Sequence, residues 1–214
     1  MWIRRLMRTA FAFLVTMTVT QKLDANIGTW TRLDDGTTMG SILALEAGED
    51  CLYAGTSNGV FISLDRGGAW HATSFKENCS TITVDWNTVY AGTVYQGVFR
   101  SDNRGKAWKP IQEGLRFHEQ DGARYYGEVR RILARRGEII NVMYHGGTYT
   151  SADWGETWRD VSEEWIAGNS IYSMMEFDGY LWSAVSVRSM YRSPDMGQKW
   201  EILLSSFLSG NLAE

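Results

Sequence analysis

The stretch Ser63-Leu64-Asp65-Arg66-Gly67-Gly68-Ala69-Trp70 decides the fold, because versions of it recur three more times along the chain. The other copies are Ser101–Trp108, Ser151–Trp158 and Ser193–Trp200, and all four share the pattern Ser-x-Asp/Asn-x-Gly-x-x-Trp. The central glycines are separated by 38, 50 and 42 residues. Recurrence at such intervals indicates a protein built from repeated structural units.

The sequence around each copy repeats as well. Leu52–Thr56 matches Val89–Thr93, and Gly59–Ser63 matches Gly97–Ser101. Short apolar runs separated by turn residues are typical of β-strands. We therefore predict four strands in each unit, which in the first unit lie near residues 41–46, 51–55, 60–63 and 70–73. The later units are predicted at residues 80–111, 129–161 and 170–204.

The eight-residue motif is explained as a turn between the third and fourth strands of each unit. Its Ser and Asp oxygens can accept hydrogen bonds from turn amides that no strand partner reaches. Its Gly can adopt a positive φ, and its Trp can pack under the turn. These roles are structural, whereas a catalytic or calcium-binding role is the less favoured interpretation of the aspartates. The predicted structural residues are Ser63, Asp65, Gly67, Trp70, Ser101, Asn103, Gly105, Trp108, Ser151, Asp153, Gly155, Trp158, Ser193, Asp195, Gly197 and Trp200.

Four-stranded units with a period near 40 residues are typical of a β-propeller. We predict an all-β propeller domain of four blades over residues 26–214. Gly28–Leu33 resembles the last strand of a blade that has no other strands before it. The ring is therefore expected to be open or partial, unless this extra N-terminal strand pairs where the ring closes. An open ring exposes strand edges, so self-association through these edges is the alternative.

The first 25 residues differ from the repeats. Arg4, Arg5 and Arg8 precede a short apolar run at residues 9–19, and a cleavage site after Ala25 completes the pattern of a secretory signal. The run is too short for a stable membrane span. We predict a secreted or periplasmic protein; the alternative is a misplaced start codon before a cytoplasmic domain.

The composition and charge argue against several classes of function. The formal net charge of −4 gives no electrostatic reason to expect nucleic acid as a partner. Two cysteines do not make a disulfide framework, although they could form one pair after export. No metal-ligand cluster or cofactor motif is recognisable, so neither is predicted.

The four motifs resemble the Asp-box (BNR) repeats of sialidases, other glycoside hydrolases, sortilin-type receptors and photosystem II assembly factors. The compact units Tyr-Ala-Gly-Thr and Gly-Val-Phe-x-Ser are most similar to the assembly factors and to bacterial exported repeat proteins. The resemblance implies a propeller whose boxes lie at the periphery, away from the functional face. It does not select one activity, since one fold hosts many functions.

Binding residues are expected in the loops that join the last strand of one blade to the first of the next, and the second strand to the third, because these share one face of a propeller. The longest such loop is 112–128, which combines charged and aromatic residues. Arg130 or Arg131 begins the inner strand of the third blade, and strand alternation sends the two side chains to opposite faces. One of them is expected to reach the central channel, where it would need an anionic partner. The predicted binding residues are Arg116, His118, Glu119, Arg124, Tyr125, Tyr126, Arg131, His145, Trp165 and Arg188.

No catalytic residue is predicted. Sialidases use three arginines, a Tyr–Glu pair and an early Arg-Ile-Pro motif, but the only prolines here are Pro110 and Pro194. We expect a non-catalytic binding or assembly scaffold with a protein or carbohydrate partner. The alternatives are a degenerate or partial glycoside hydrolase and a truncated fragment of a larger propeller.

Overall fold

The computed structural model describes residues 38–144, 147–162, 171–185 and 189–204. The predicted leader, the predicted extra strand at 28–33, and the predicted binding residues His145, Trp165 and Arg188 lie outside the described residues.

The described residues form four antiparallel sheets of four strands, each in simple sequential order. Blade 1 comprises β1 (Ile42–Ala47), β2 (Leu52–Thr56), β3 (Gly59–Ser63) and β4 (His71–Ala72). Blade 2 comprises β5 (Cys79–Asp85), β6 (Thr88–Thr93), β7 (Val98–Ser101) and β8 (Lys109–Pro110), and it is followed by a hairpin of β9 (Phe117–Gln120) and β10 (Ala123–Tyr126). Blade 3 comprises β11 (Val129–Arg135), β12 (Glu138–Met143), β13 (Gly147–Ser151) and β14 (Arg159–Asp160). Blade 4 comprises β15 (Ile171–Phe177), β16 (Tyr180–Val185), β17 (Ser189–Ser193) and β18 (Glu201–Leu204). The all-β prediction with four-stranded units is confirmed.

The four blades share one register. The innermost strand lies opposite the second strand through the pairs Leu45–Ala54, Ile82–Ala91, Ile132–Asn141 and Met174–Ser183. Each innermost strand also has a register shift at the same place, between the residues three positions and one position before Leu45, Ile82, Ile132 or Met174. Equivalent residues can therefore be compared from blade to blade.

Apolar clusters fill the junctions between neighbouring blades. Tyr53 and Val60 of blade 1 pack with Ile82 and Ala91 of blade 2. The next junctions are equally apolar, with Tyr90 against Ile132 between blades 2 and 3, and Ile140 in one cluster with Leu181 between blades 3 and 4. Since side chains alternate across a strand, each blade uses one face for the preceding blade and the other for the following blade.

Each eight-residue motif closes its turn as the sequence predicts. The Ser hydroxyl accepts a hydrogen bond from the Gly amide at 2.8–2.9 Å in all four copies. Oδ1 of the Asp or Asn accepts the amide of the residue four positions later at 2.8–3.0 Å. The same Ser hydroxyl also donates to that Oδ1, so each turn is held by a continuous network.

Two details of the motif are not apparent from the sequence. The residue before each central glycine also has a positive φ, between 51° and 62°, although it is Arg66, Arg104, Trp154 or Met196. The indole of Trp108 donates to Gly105 O within its own turn, whereas the indole of Trp158 donates to Ile111 O, just beyond the last strand of blade 2. The third motif thus also fastens two blades together.

Both cysteines are free and buried. Burial raises the pKa of the Cys79 thiol to about 12, so it stays protonated at neutral pH. No helix of the described residues is long and apolar enough to cross a membrane.

Candidate functional site

The long segment between blades 2 and 3 contains a β-hairpin, where the sequence indicated only a loop. Strands β9 and β10 pair through Phe117–Tyr126 and Gln120–Ala123. Asp121 and Gly122 form the turn with φ values of 53° and 77°, as a two-residue hairpin turn requires. A Cβ atom added to Gly122 would meet no atom within 4 Å, so the tip projects into open space.

The base of the hairpin is anchored in the core. Leu115 and Tyr126 are buried in the cluster between blades 2 and 3. The Tyr126 amide donates to Tyr95 O at 2.8 Å, which joins the hairpin to the loop between β6 and β7. The Arg116 amide donates to the Tyr149 hydroxyl at 3.4 Å. A rigid base below a projecting tip is a common arrangement for recognition loops.

The exposed hairpin side chains are ordered by contacts with each other. The rings of His118 and Tyr125 stack with centroids 5.5 Å apart. On the opposite face the Arg124 guanidinium lies 4.4 Å from the centre of the Phe117 ring, and Arg124 Nε is 3.7 Å from Glu119. These contacts hold large side chains in fixed positions, which lowers the entropic cost of binding.

Two arginines extend this surface beyond the hairpin. Arg116 is 69 % exposed and lies 2.9 Å from Asp160 on β14. The guanidinium of Arg130 lies 4.1 Å from the centre of the exposed Tyr144 ring. We call the set of His118, Tyr125, Phe117, Arg124, Glu119, Arg116, Asp160, Arg130, Tyr144 and Tyr95 the hairpin surface.

Arg131 lies apart from this surface. Its charge acts on Glu46 of β1, so a carboxylate of blade 1 is an anionic group near Arg131. Burial raises the pKa of Glu46 above its usual value, while Arg131 and hydrogen bonds from Val84 and Thr83 oppose that rise.

The structure thus brings together Arg116, His118, Glu119, Arg124 and Tyr125 of the predicted binding residues. Tyr126 is only 5 % exposed and serves as an anchor, not as part of the accessible surface. Tyr144 and Asp160 belong to the site but were not among the predicted residues. The sequence signal that could have found them is their place at the ends of β12 and β14, on the loop face.

Another cavity lies away from this surface. It has a volume of about 670 Å³ and is lined by residues 48–52 and 64–66, at the first turn and the Asp box of blade 1. Its carboxylate Asp50 lies 3.1 Å from Arg104, so the pair Glu49-Asp50 is partly neutralised by a neighbouring blade.

Comparison with known proteins agrees with this geometry. The BNR-Asp box repeat profile matches residues 98–111, which contain the second motif. No curated protein matches the chain in a sequence search. The fold defined by the blades and by the repeated turn is a β-propeller, and its repeats are of the Asp-box, or BNR, type.

Solved structures with the same fold come from different kinds of protein. The GH74 xyloglucanase from Xanthomonas campestris is 19 % identical with a TM-score of 0.56, over 84 % of this chain and 33 % of the enzyme. YCF48 from Cyanidioschyzon merolae is 14 % identical with a TM-score of 0.54, over 77 % of this chain and 56 % of that protein. The extracellular domain of a one-component system from B. thetaiotaomicron is 14 % identical with a TM-score of 0.60, over 78 % and 25 % of the two chains. The chain therefore spans a third of the length of the xyloglucanase and between a quarter and about half of the other two.

Proposed function

We propose that the chain is a non-catalytic binding scaffold whose hairpin surface recognises a protein partner. The observation that supports this most directly is the hairpin itself, which has a buried base and an unobstructed tip. Exposed Tyr, Phe and Arg side chains, as on this hairpin, are the residue types enriched at protein interfaces.

Neighbouring side chains lie on one face of each aromatic ring, which favours a protein partner over a carbohydrate. Carbohydrates bind aromatic side chains mainly by stacking on an open ring face. In the hairpin surface one face of Phe117 is covered by Arg124, one face of Tyr144 by Arg130, and His118 and Tyr125 cover each other. The guanidinium groups of Arg116 and Arg124 are exposed and suit hydrogen bonding to carboxylates and peptide carbonyls.

The charges of the surface also favour binding over hydrolysis. Glycoside hydrolysis requires two carboxyl groups across one cleft, about 5–10 Å apart, one of them with a raised pKa. On the hairpin surface Glu119 lies beside Arg124 and Asp160 lies beside Arg116. Carboxylates paired in this way orient the two arginines, and no second carboxylate faces either of them in the contacts of this surface.

A direct test compares two double variants of the full chain on a tiled peptide array and a glycan array. His118→Ala with Tyr125→Ala removes the stacked pair, and Trp86→Ala with Leu64→Ala removes exposed apolar residues away from the hairpin. We expect peptide binding that the hairpin variant loses, by about tenfold or more, and the control retains.

Two outcomes would contradict the proposal. Binding to glycans and to no peptide would show that the partner is a carbohydrate and not a protein. Turnover of aryl glycosides or sialosides by the wild-type chain would show an enzyme and would support the glycoside hydrolase alternative.

We further propose that the protein is exported, on the strength of the basic and apolar pattern of residues 1–25. Expression in a bacterial host, followed by N-terminal sequencing of the periplasmic fraction, should find a chain that begins at Asn26. An intact N-terminus found only in the cytoplasmic fraction would contradict this.

A further inference from the structure

The hairpin of β9 and β10 forms a sheet of its own, with no third strand beside it in the described part of the chain. All four residues of β9 are exposed. A strand at the edge of a sheet presents a row of backbone N–H and C=O groups that another extended chain can pair with. Which of these groups are free follows from the register of the hairpin.

The turn of the hairpin sets which cross-strand pairs exchange hydrogen bonds. Gln120 and Ala123 flank the two-residue turn and are paired, and in such a hairpin the flanking residues exchange both N–H···O bonds. Bonded and non-bonded pairs then alternate along an antiparallel ladder. The residues whose N–H and C=O groups point outward, away from the other strand, are therefore the odd-numbered residues of β9 and the even-numbered residues of β10.

One hydrogen bond agrees with this assignment and engages one of the two edges. Tyr126 on β10 is an outward residue, and its amide donates to Tyr95 O at 2.8 Å, outside the hairpin. The edge of β10 is therefore partly occupied by the loop of blade 2. On β9 the outward residues are Phe117 and Glu119, whose backbone groups have no hydrogen-bond partner among the described residues. The edge of β9 is the free one.

The side chains of β9 give this edge two different sides. Phe117 and Glu119 lie on one side and His118 and Gln120 on the other, because side chains alternate along a strand. The Phe117 ring is 44 % exposed and has Arg124 on one face. Aromatic and β-branched residues are the favourable cross-strand neighbours of such a ring. The charge of Glu119, in contrast, opposes indiscriminate pairing of the edge.

From the free edge we infer that the partner docks an extended peptide segment along β9, as a third strand of the hairpin. The inference rests on the proposed function and specifies how the protein partner binds. Main-chain hydrogen bonds to Phe117 and Glu119 supply affinity, and an aromatic or β-branched side chain beside Phe117 supplies selectivity. The free groups themselves select this occupant, because paired N–H and C=O groups two residues apart are complementary to another extended backbone.

Proline substitutions test the edge directly. Proline removes an outward N–H without breaking the ladder, since it is tolerated where a strand N–H faces solvent. Glu119→Pro in the full chain should bind short immobilised peptides about tenfold or more weakly than Glu119→Ala, because a peptide carbonyl loses its donor. Arg124→Pro and Arg124→Ala are the matched control and should bind alike, because the Arg124 N–H lies on the other edge. Thermal unfolding of the proline variants checks that they are folded.

The wild-type chain provides a second measurement, which does not depend on the folding of a variant. The peptide that binds most tightly on the array is resynthesised with a methyl group on one backbone nitrogen at a time. In a paired strand only alternate N–H groups point towards the neighbouring strand. Methylation should therefore weaken binding by about tenfold or more at alternate positions and be tolerated at the positions between them.

The outcomes that contradict the inference can be told apart from a failure of the proposed function. Equal peptide binding by Glu119→Pro and Glu119→Ala, or methylation effects without alternation, would show recognition by side chains alone. The docking mode would then be wrong and the proposed function would stand. No peptide binding by the wild-type chain would overturn both. A wild-type dimer that Glu119→Pro dissociates would make a second copy of the chain the occupant of the edge, in place of a partner.

Discussion

Leu45 and Ile82 occupy the same position in two successive blades, opposite Ala54 and Ala91, yet Leu45 is 65 % exposed and Ile82 is 4 % exposed. The strands around them are alike in length and pairing. The difference arises because blade 1 covers Ile82, whereas no blade among the described residues covers Leu45. Position in the row of blades, rather than local structure, decides how much each apolar side chain contributes to stability.

This relationship gives a matched pair of substitutions. Ile82→Ala should lower the free energy of unfolding by about 2–5 kcal/mol, because it leaves a cavity in the junction between blades 1 and 2. Leu45→Ala should change it by less than about 0.5 kcal/mol in the monomer. Urea denaturation at concentrations where the chain is monomeric measures both, and equal effects would contradict the assignment of the two faces.

The Asp-box hydroxyl offers a second prediction. Ser101→Ala removes the buried acceptor of the Gly105 amide and should cost about 1–3 kcal/mol, because that amide is left without a partner away from water. Ser74→Ala is the control: its hydroxyl donates to Lys106 O at 2.9 Å, but Ser74 is exposed, so water can replace it. Thermal unfolding of the two variants compares the loss of a buried and of an exposed serine hydroxyl by the same substitution.

Two glycines with similar backbone angles should respond differently to alanine. Gly122→Ala at the open hairpin tip should cost no more than about 1–2 kcal/mol, the strain of a left-handed alanine. In Gly114→Ala, where φ is 93°, the new Cβ would also lie 2.2 Å from Trp158 O. That variant should lose about 2–5 kcal/mol from strain and overpacking together. Denaturant unfolding measures both losses. Equal losses in the two variants would show that the backbone at Gly114 shifts easily.

Acid should weaken the first Asp box but not the second. The Ala69 amide and the Ser63 hydroxyl hold the pKa of Asp65 below its usual value. A lowered folded-state pKa adds stability that is present above the unfolded pKa of 3.8 and is lost as the pH falls through the folded pKa. Asp65→Asn should therefore flatten the loss of stability between about pH 5 and pH 2.

The second box supplies the reciprocal variant. It carries Asn103, which makes the same hydrogen bonds without a charge. Asn103→Asp should add an acid-dependent contribution of the same sign. Unfolding curves with identical pH dependence in wild type and both variants would show that the charge of these side chains is irrelevant to stability.

The sequence predicted the repeated blades because each depends on contacts within a short stretch. The Ser63 and Asp65 oxygens bind amides no more than four residues away, so the pattern itself carries the turn. The hairpin at 117–126 was missed, although Asp121-Gly122 is a recognised hairpin turn, because its flanking residues are polar and lack the alternation of a half-buried strand. Its strands are ordered instead by stacked rings and by the anchor at Tyr126.

The candidate site was predicted only as a set of residues on several loops and one inner strand. Arg116 and Arg124 were expected to contact a partner, but their own carboxylates Asp160 and Glu119 could not be paired with them from the sequence. Likewise, an arginine at the start of the inner strand of blade 3 was expected to need an anionic group, and only the tertiary structure shows that the charge of Arg131 acts on Glu46.

By itself the amino-acid sequence determined the four Asp-box turns and the strand order within each blade, because hydrogen bonds over a few residues enforce them wherever the segment lies. The tertiary structure alone decided which apolar face is buried, which arginine meets which carboxylate, and which rings remain accessible. Many of these outcomes depend on groups far apart in the sequence, such as Arg116 and Asp160, and the repeat gives such groups nearly the same local pattern in every blade.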